Sequence, residues 1–293
     1  DYKNLTDLEQ ELKDCRLNLP VSNELAVLNK PVAIGMGSAP NGLAVQPMEG
    51  CDATADGRPG PLTIRRYERF AAGGAGLIWV EATAVSADSR ANPRQLWLHE
   101  QNLPDFQALA ALIDRASGIK PYKVLQLTHS GRYARASGSP NPQVAAANPW
   151  LDRPDQPAVL LSDDQLAGLV PLYVRAAELA YQAGFDAVDI KSCHRYLLNE
   201  LLSAYTRPGS YGGTLENRSR LLLDIVRAIR AAVPLDLAVR LNAYDEIPYP
   251  YGWGVDKTDH HIPDLTEPLW LAVALKTAGV SLLLPRAWST VEP

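Results

Sequence analysis

A helix–glycine–strand unit occurs three times in the chain and constrains the fold more than any other feature. The three copies are "RRYERFAAGGAGLIWVEATAV", "YVRAAELAYQAGFDAVDIK" and "LAVALKTAGVSLLLP". A glycine after a helix supplies a left-handed cap, and the apolar run that follows it is typical of a buried strand. A repeated unit of this kind predicts parallel strands joined by helical crossovers, and therefore an α/β fold.

Six segments are strand candidates, and each changes from apolar to polar at its C-terminal end. The six segments are 43–48, 76–85, 123–129, 187–191, 237–242 and 280–285. Parallel (β/α) barrels carry their sites at that end of the strands. A dinucleotide-binding fold is less well supported, because "GMGSAPNG" precedes the first strand and opens no helix. We therefore predict a TIM (β/α)8-type barrel.

Helix boundaries can also be predicted from capping residues. Ser162 and Gln165 form a capping-box pattern at the start of one helix. Pro171 would lie inside that helix, where it should produce a kink. Asn217 is expected to precede a second helix, and a third should open at Thr266.

Composition excludes several classes of protein. The 293 residues carry a formal net charge of −5, so there is no basic surplus for nucleic acid. The sequence contains no run of about 18 apolar residues that would predict a membrane span, and its start lacks a signal-peptide pattern. Cys15, Cys51 and Cys193 suggest no disulfide framework, which favours a reducing cytoplasm. The histidines show no zinc spacing, and we expect the adjacent His260 and His261 to point in different directions.

The segment "DIKSCHRYLLNE" brings three reactive side chains to one strand end. Lys191 and His194 could both donate to one carbonyl oxygen and stabilise its developing charge. Tyr196 offers a phenol as proton donor to the adjacent carbon. Alternatively, His194 and Tyr196 are hydrogen-bonded residues that cap a barrel. Cys193 is expected to pack in the interior.

Arg240, Gln46 and Gln126 are unusual residues for the ends of buried strands. A buried arginine needs an anionic or carbonyl-rich partner, and Glu81 or Asp189 could supply an ion pair. The amides of the two glutamines can donate and accept hydrogen bonds at once. Such groups suit a ring with alternating carbonyl and N–H edges, and a flavin is such a ring.

These residues stand in stretches that resemble one family. The stretches are "AVQPMEG", "YERFAAGGAGLIWVEATAV", "LQLTHSGR", "AGFDAVDIKSCHRYLLNELLSAYTRPGSYGGTLENRSR" and "LAVRLN". In this order they resemble the old yellow enzyme family of FMN-dependent ene-reductases, and most closely its bacterial NADH:flavin oxidoreductases. The resemblance extends from about residue 30 to the end, and it implies an eight-stranded barrel with FMN across its C-terminal mouth.

The resemblance also implies roles for individual residues. Reduced by NADH or NADPH, the flavin would pass hydride from N5 to the β-carbon of an α,β-unsaturated carbonyl compound. His194, with Lys191, would bind the carbonyl oxygen, and Tyr196 would protonate the α-carbon. The implied cofactor-binding residues are Pro47, Met48, Glu49, Ala82, Gln126 and Arg240. No metal is implied.

The chain departs from the family in two ways. Lys191 stands where much of the family has histidine, so its charge could pair with the flavin or with Glu81 instead. In addition, only about six of the eight βα units are present. We therefore expect a longer polypeptide, or a second chain in a homo-oligomer, to complete the barrel, and weak FMN retention without that completion. Residues 1–29 would form an extension whose short helix could plug the barrel, and 30–293 would form the barrel domain.

Two other functions are compatible with the residues. A barrel aldolase could use Lys191 to form a Schiff base with a carbonyl substrate. A degenerate, non-catalytic barrel could instead bind a partner through its open edge. The combination of Gln126, His194, Tyr196 and Arg240 favours catalysis, since none of the four has an obvious structural purpose.

Overall fold

The computed structural model describes residues 2–287, which form eight α-helices and ten strands. The helices are α1 Leu5–Asp14, α2 Pro61–Ala72, α3 Leu103–Ser117, α4 Asp163–Ala167, α5 Leu169–Ala183, α6 Leu197–Leu202, α7 Leu215–Ala232 and α8 Thr266–Thr277. The strands are β1 Val32–Ile34, β2 Gly37–Ala39, β3 Ala44–Val45, β4 Leu77–Ala84, β5 Tyr122–Thr128, β6 Gln143–Val144, β7 Val159–Leu160, β8 Ala187–Ser192, β9 Asp236–Tyr244 and β10 Leu282–Ala287.

The main sheet has six parallel strands that lie side by side in chain order, β3-β4-β5-β8-β9-β10. All six predicted strands are present, although the first is only two residues long. The sheet curves as part of a (β/α) barrel, which confirms the predicted fold class and its six units. Within residues 2–287, β3 and β10 are the edges of this sheet.

Helices cover the outer face of the sheet and form the larger hydrophobic core with it. The predicted glycine caps have the expected backbone conformation, with φ of +77° at Gly74, +90° at Gly184 and +102° at Gly279. Each glycine reverses the chain directly after a helix, so the next strand starts parallel to its neighbour. None of the helices between residues 2 and 287 has the length and hydropathy that a membrane crossing requires.

A β-hairpin closes the bottom of the barrel. Strands β1 and β2 pair antiparallel, and Ile34 and Ala39 pack on Trp79 and other inward-facing residues of the sheet. The carboxylate of Asp236 accepts hydrogen bonds from the Met36 backbone N–H at 2.9 Å and from the Tyr122 hydroxyl at 2.6 Å. The hairpin is therefore tied to the first residue of β9.

The predicted plug helix does not fill this position. Helix α1 forms where expected, and Asn4 caps it by accepting a hydrogen bond from the backbone N–H of Asp7. None of its residues is buried, however. The apolar residues Leu5, Leu8 and Leu12 of α1 are only half-buried, whereas Ile34 and Ala39 of the hairpin pack against residues at the starts of the strands.

Two of the predicted helix boundaries were wrong. The expected single helix after Ser162 is interrupted at Gly168, so Pro171 lies in the first turn of α5, where a proline displaces no helical hydrogen bond. The cap of α7 is Thr214, whose hydroxyl accepts from the Asn217 backbone N–H at 3.3 Å. The capping box of Ser162 and the start at Thr266 are confirmed.

The segment 129–161, which we call the cap loop, connects β5 to α4 and is only partly irregular. It contains a 3-10 turn at Gly131–Tyr133 and the two-stranded parallel ladder β6–β7. The buried carboxylate of Glu200 accepts hydrogen bonds from the backbone N–H groups of Ala145 and Ala146 and from Arg132. These contacts fix the base of the cap loop to α6.

The barrel floor gives a prediction about stability. Replacing Tyr122→Phe removes the hydroxyl that donates to the Asp236 carboxylate and leaves part of that buried charge without its donor. We expect the free energy of unfolding to fall by about 2 kcal/mol, the usual effect of losing a hydrogen bond to a charged group. Urea denaturation followed by circular dichroism measures this change.

Tyr181→Phe is the matched control, because this exposed tyrosine on α5 also loses one hydroxyl. Its urea midpoint should stay within error of the unmodified chain. Equal midpoints for the Tyr122 and Tyr181 variants would show that the hairpin is not held by this contact.

Candidate active site

The site is built where β8 passes into α6. His194 and Arg195 both have left-handed backbone conformations, with φ of +61° and +56°. The backbone N–H of Arg195 donates to the Asn199 side chain at 2.7 Å, and that of His194 donates to the Asn242 side chain at 3.4 Å. Left-handed residues other than glycine are strained by about 1 kcal/mol each. The two bends bring Tyr196 back towards the strand from which the chain has just emerged.

Lys191, Tyr196 and Glu49 meet at one point. The Lys191 ammonium lies 2.9 Å from Oε1 of Glu49 and 3.8 Å from the centre of the Tyr196 ring. The Tyr196 hydroxyl donates to the same Glu49 oxygen at 3.2 Å. Lys191 is almost fully buried, and its charge is paired. The partner is Glu49 and not Glu81, which was considered from the sequence.

The surroundings of Tyr196 keep its phenol protonated. Burial raises the pKa of Tyr196 well above the usual range, and the negative charge of Glu49 raises it further. His194 is half-buried, with its ring edge-on to Tyr196 and 6.5 Å away. The phenol is therefore available as a proton donor across the neutral pH range. Cys193 is fully buried, as predicted.

Glu81 belongs to a separate network beneath the segment that follows β3. Its carboxylate accepts hydrogen bonds from Arg66 and from the Gly50 backbone N–H, the latter at 2.7 Å. Arg66 also binds Asp52 at 2.8 Å. Burial raises the pKa of the Glu81 carboxyl, and the Gly50 N–H and Arg66 oppose that rise. This network holds the segment that carries Glu49.

Asp189 is the central buried acceptor of the site. Its carboxylate receives hydrogen bonds from Gln126 Nε2 at 2.5 Å, from Trp79 Nε1 at 3.0 Å and from the Arg240 backbone N–H at 2.7 Å. Full burial raises the pKa of Asp189 to about 6, although the three donors and the nearby Arg240 charge oppose the rise. The bond to Asp189 fixes the orientation of the Gln126 amide.

The Arg240 side chain forms neither of the ion pairs considered from the sequence. Within residues 2–287, its guanidinium pairs with neither Glu81 nor Asp189. Its Nη1 atom donates instead to the Pro47 carbonyl oxygen at 3.4 Å. Its Nε atom is buried, with no hydrogen-bond partner in the part of the chain that is described. A buried guanidinium with an unused donor is suited to an external acceptor.

Three further residues predicted to contact a cofactor, Pro47, Met48 and Ala82, lie in β4 or in the segment after β3. Pro47 and Met48 follow β3, and Met48 leaves 67% of its surface exposed. Ala82 is fully buried in β4, and its carbonyl accepts from Gln95 at 3.1 Å. Gln46 was wrongly placed at a buried strand end, because β3 ends at Val45 and the glutamine is exposed.

The residues present fit a flavin. The isoalloxazine ring has alternating carbonyl and N–H groups at its edge, and its reduced form is stabilised by a positive charge near N1 and O2. The unpaired Nε of Arg240 and the oriented amide of Gln126 match these needs. Met48 offers an apolar surface for the ring.

Sequence reasoning missed two contacts within the candidate site. Glu49 was assigned to the cofactor alone, yet it binds Lys191 across 142 positions of sequence. Asp189 was considered only as an ion-pair partner. In the sequence, each of these two carboxylates stands next to an apolar run. This pattern does not identify the residue that the carboxylate will bind.

His260 and His261 do not diverge as expected. Their rings stack with centres 4.1 Å apart, and together with Asp259 they bring three potential metal-ligand atoms within 4.8 Å of one another. The tight turn at 259–262 folds the two side chains to one side. Within residues 2–287, this cluster contacts neither Lys191 nor Tyr196.

Comparisons with known proteins agree with this geometry. Residues 27–268 match the family model described as the NADH:flavin oxidoreductase / NADH oxidase family. An NADPH dehydrogenase from Halalkalibacterium halodurans is 33% identical over 230 residues, which is 78% of this chain and 63% of that protein. The chain thus spans less than two thirds of the length of this relative.

Solved structures give the same result. The old yellow enzyme homologue from Zymomonas mobilis is 27% identical with a TM-score of 0.72, covering 89% of this chain and 73% of that one. A morphinone reductase variant in complex with tetrahydroNAD is 25% identical with a TM-score of 0.72, covering 87% and 72%. With the family match extending over most of its length, the chain belongs to the NADH:flavin oxidoreductase / NADH oxidase family.

Proposed function

We propose that this chain forms the reactive part of an FMN-dependent oxidoreductase that uses NADH or NADPH to reduce α,β-unsaturated carbonyl compounds. The observation that carries the proposal is the convergence of Lys191 and Tyr196 on one oxygen of Glu49, at 2.9 Å and 3.2 Å. Bound FMN would supply the hydride for the β-carbon of the substrate. The names of the relatives, which include NADPH dehydrogenase, support this assignment.

Lys191 and His194 bind the carbonyl oxygen of the substrate in this proposal. The Glu49 oxygen already accepts from Lys191, so an oxygen at that position can receive a charge-assisted hydrogen bond. A substrate that displaces Glu49 would take over this donor. Its carbonyl would be polarised as electron density moves from the β-carbon towards oxygen.

Tyr196 delivers the proton to the α-carbon. Breaking its O–H bond leaves a phenolate, whose negative charge is opposed by burial and by Glu49. The Lys191 ammonium, 3.8 Å from the ring centre, stabilises that phenolate until water returns the proton. The product thereby gains one hydride and one proton.

The flavin-binding residues of the proposal are those around Asp189 and β3. Gln126 would bind the pyrimidine edge, and Arg240 would lie near N1 and O2. Pro47, Met48 and Ala82 would contact the ring. Glu49, which follows Met48 directly and accepts a hydrogen bond from the Tyr196 hydroxyl, would contact both the flavin and the substrate.

The partners and location also remain proposals. A small enone-type substrate is expected, together with a longer polypeptide or a second copy that pairs with the edges β3 and β10. Those edges are unpaired within residues 2–287, and unpaired edges favour association. The exposed thiols of Cys15 and Cys51 support a reducing cytoplasm as the location.

A Schiff-base function for Lys191 is the second candidate, and the ion pair argues against it. A lysine attacks a carbonyl as the neutral amine, whereas Glu49 at 2.9 Å stabilises the ammonium. We expect no covalent adduct when the protein is treated with an aldehyde and borohydride and then analysed by mass spectrometry of the Lys191 peptide. A trapped adduct at Lys191 in protein that binds no FMN would favour the aldolase function instead.

Tyr196→Phe separates the two half-reactions. Protein reconstituted with excess FMN should still be bleached by NAD(P)H at the unmodified rate, because hydride transfer to the cofactor does not use the phenol. Reoxidation by 2-cyclohexenone should slow by 100-fold or more, on the order expected for removal of a general acid. Stopped-flow absorbance at the flavin band measures both steps.

Tyr181→Phe is the control, since this exposed tyrosine lies on α5 outside the site. Unchanged enone turnover in the Tyr196 variant would remove the proton-donor role. Failure of NAD(P)H to bleach FMN-loaded, unmodified protein would remove the proposed function itself.

Asp189→Asn tests the buried carboxylate through pH. The rise of its pKa from 3.8 to about 6 means that the folded state binds the proton more tightly than the unfolded state. The protonated Asp189 carboxyl therefore contributes its full stabilisation to the folded state below pH 3.8. This contribution is lost as the pH rises through about 6. Relative to the variant, the unmodified chain should lose about 3 kcal/mol of unfolding free energy between about pH 4 and pH 7.

Asp256→Asn serves as the comparison, because hydrogen bonds lower the pKa of this exposed carboxyl to about 2. The urea midpoints of each variant and of the unmodified chain, measured across the same pH range, give the difference curves. If the difference in urea midpoint between Asp189→Asn and the unmodified chain does not change with pH, the pKa of Asp189 is not raised in the folded protein.

A further inference from the structure

Three potential metal ligands meet on the loop between β9 and α8. The side chains of Asp259, His260 and His261 bring one ligand atom each within 4.8 Å of one another, and the two imidazole rings stack with centres 4.1 Å apart. One Asp259 oxygen accepts from the His261 backbone N–H at 3.0 Å, and the carboxylate retains further lone pairs for an ion. Imidazole and carboxylate groups together form a donor set that suits zinc and related ions.

A carboxylate from another part of the chain orients one of these imidazoles. Oε1 of Glu246, which follows β9, lies 3.3 Å from Nδ1 of His261. An ionised carboxylate can only accept a hydrogen bond, so in the neutral ring this contact places the proton on Nδ1 and leaves Nε2 with a lone pair for a metal. Histidines that bind metals usually have this arrangement, because the carboxylate fixes the tautomer and the direction of the ring.

The backbone that carries the three ligands is held by its own hydrogen bonds. The Ile262 N–H donates to the Asp259 carbonyl at 3.0 Å and closes the turn, and the Tyr244 hydroxyl donates to the His260 carbonyl at 2.8 Å. At the base of the loop, the Asp256 N–H donates to the Ile262 carbonyl at 2.9 Å. Little ordering of the backbone is therefore needed when an ion binds, which favours affinity.

The charge of the surrounding segment favours a cation. Residues 246–264 include four carboxylates, at positions 246, 256, 259 and 264, against one lysine, Lys257. The Lys257 ammonium lies 5.5 Å from the centre of the Tyr249 ring. A surface with this excess of negative charge raises the local concentration of cations.

We propose that Asp259, His260 and His261 bind one divalent transition-metal ion of the zinc class. A water molecule completes the tetrahedral coordination, as it does in other sites with three protein ligands. Glu246 is a positioning residue that holds the His261 ring. Magnesium and calcium fit poorly, because both ions take six or more ligands and these are oxygens. The ion links the loop to the end of β9 and takes no part in the proposed reduction.

Isothermal titration of zinc chloride into the EDTA-dialysed chain tests the site. We expect one zinc ion per chain, with an affinity that falls at least about tenfold in His260→Gln because a ligand is lost. His99→Gln is the matched control, since it removes a partly exposed imidazole outside the cluster. Its zinc affinity should equal that of the unmodified chain. Magnesium chloride at the same concentration should give no binding heat.

Glu246→Gln tests the positioning role. Glutamine can still accept a hydrogen bond, but it has no charge to hold the Nδ1 proton of His261, so the zinc affinity should fall about tenfold. The Tm of the metal-free variant, followed by circular dichroism, should stay within error of the unmodified value. Zinc at about 100 times its Kd should raise the Tm of the unmodified chain by about 5 °C, and that of His260→Gln by less.

The proposal is overturned if the unmodified chain binds no zinc, or if His260→Gln and His99→Gln bind it equally. Equal affinity would assign the ion to other ligands, such as the exposed thiols of Cys15 and Cys51. Magnesium binding as tight as zinc binding would also overturn it, since that behaviour belongs to oxygen ligands alone. A lowered Tm of metal-free Glu246→Gln would contradict the positioning role of Glu246.

Discussion

One buried carboxylate holds the reactive end of the sheet together. Asp189 on β8 accepts hydrogen bonds from Trp79 on β4, Gln126 on β5 and the backbone of Arg240 on β9, so a single charge links four strands. Burial raises the pKa of this carboxyl and the three donors lower it, and the two effects together leave the pKa at about 6. Because the donors include Gln126, the same contact that stabilises the sheet also orients the amide proposed to bind the flavin.

A second carboxylate connects the segment after the edge strand β3 with the interior strand β8. Glu49 follows β3, whereas Lys191 and Tyr196 belong to β8 and the turn after it, yet all three meet within hydrogen-bonding distance. The segment that carries Glu49 is itself held by Arg66 through Glu81 and Asp52. The acceptor that faces the proposed proton donor is thus positioned by helix α2. Through the pairing with Glu49, the buried ammonium of Lys191 is neutralised and remains close to the phenol.

Local sequence patterns predicted the elements well and their long-range contacts poorly. The helix–glycine–strand repeat predicted the parallel sheet, because each glycine acts on its own helix end and needs no distant partner. The barrel floor was assigned to α1 instead of the β1–β2 hairpin, since nothing in the sequence reveals that Asp236 will bind the Met36 backbone 200 residues away. The partners of Lys191 and Arg240 were missed for the same reason. A polar residue at a strand end indicates a site, but the partner is chosen by the curvature of the whole sheet.

The turn after β8 links the reactive site to a cavity of about 860 Å³ that the cap loop also lines. His194 and Arg195 adopt left-handed conformations that glycine would occupy without strain, and side-chain amides of Asn242 and Asn199 hold them there. Strain of this kind persists only where the surrounding structure enforces it, and it tends to accumulate at functional sites. Here the arrangement places an arginine on the cavity wall between the imidazole and the phenol. The charge of Arg195 also lowers the pKa of the buried Asp245 carboxyl against the rise that burial causes, so the same turn stabilises the segment that follows β9.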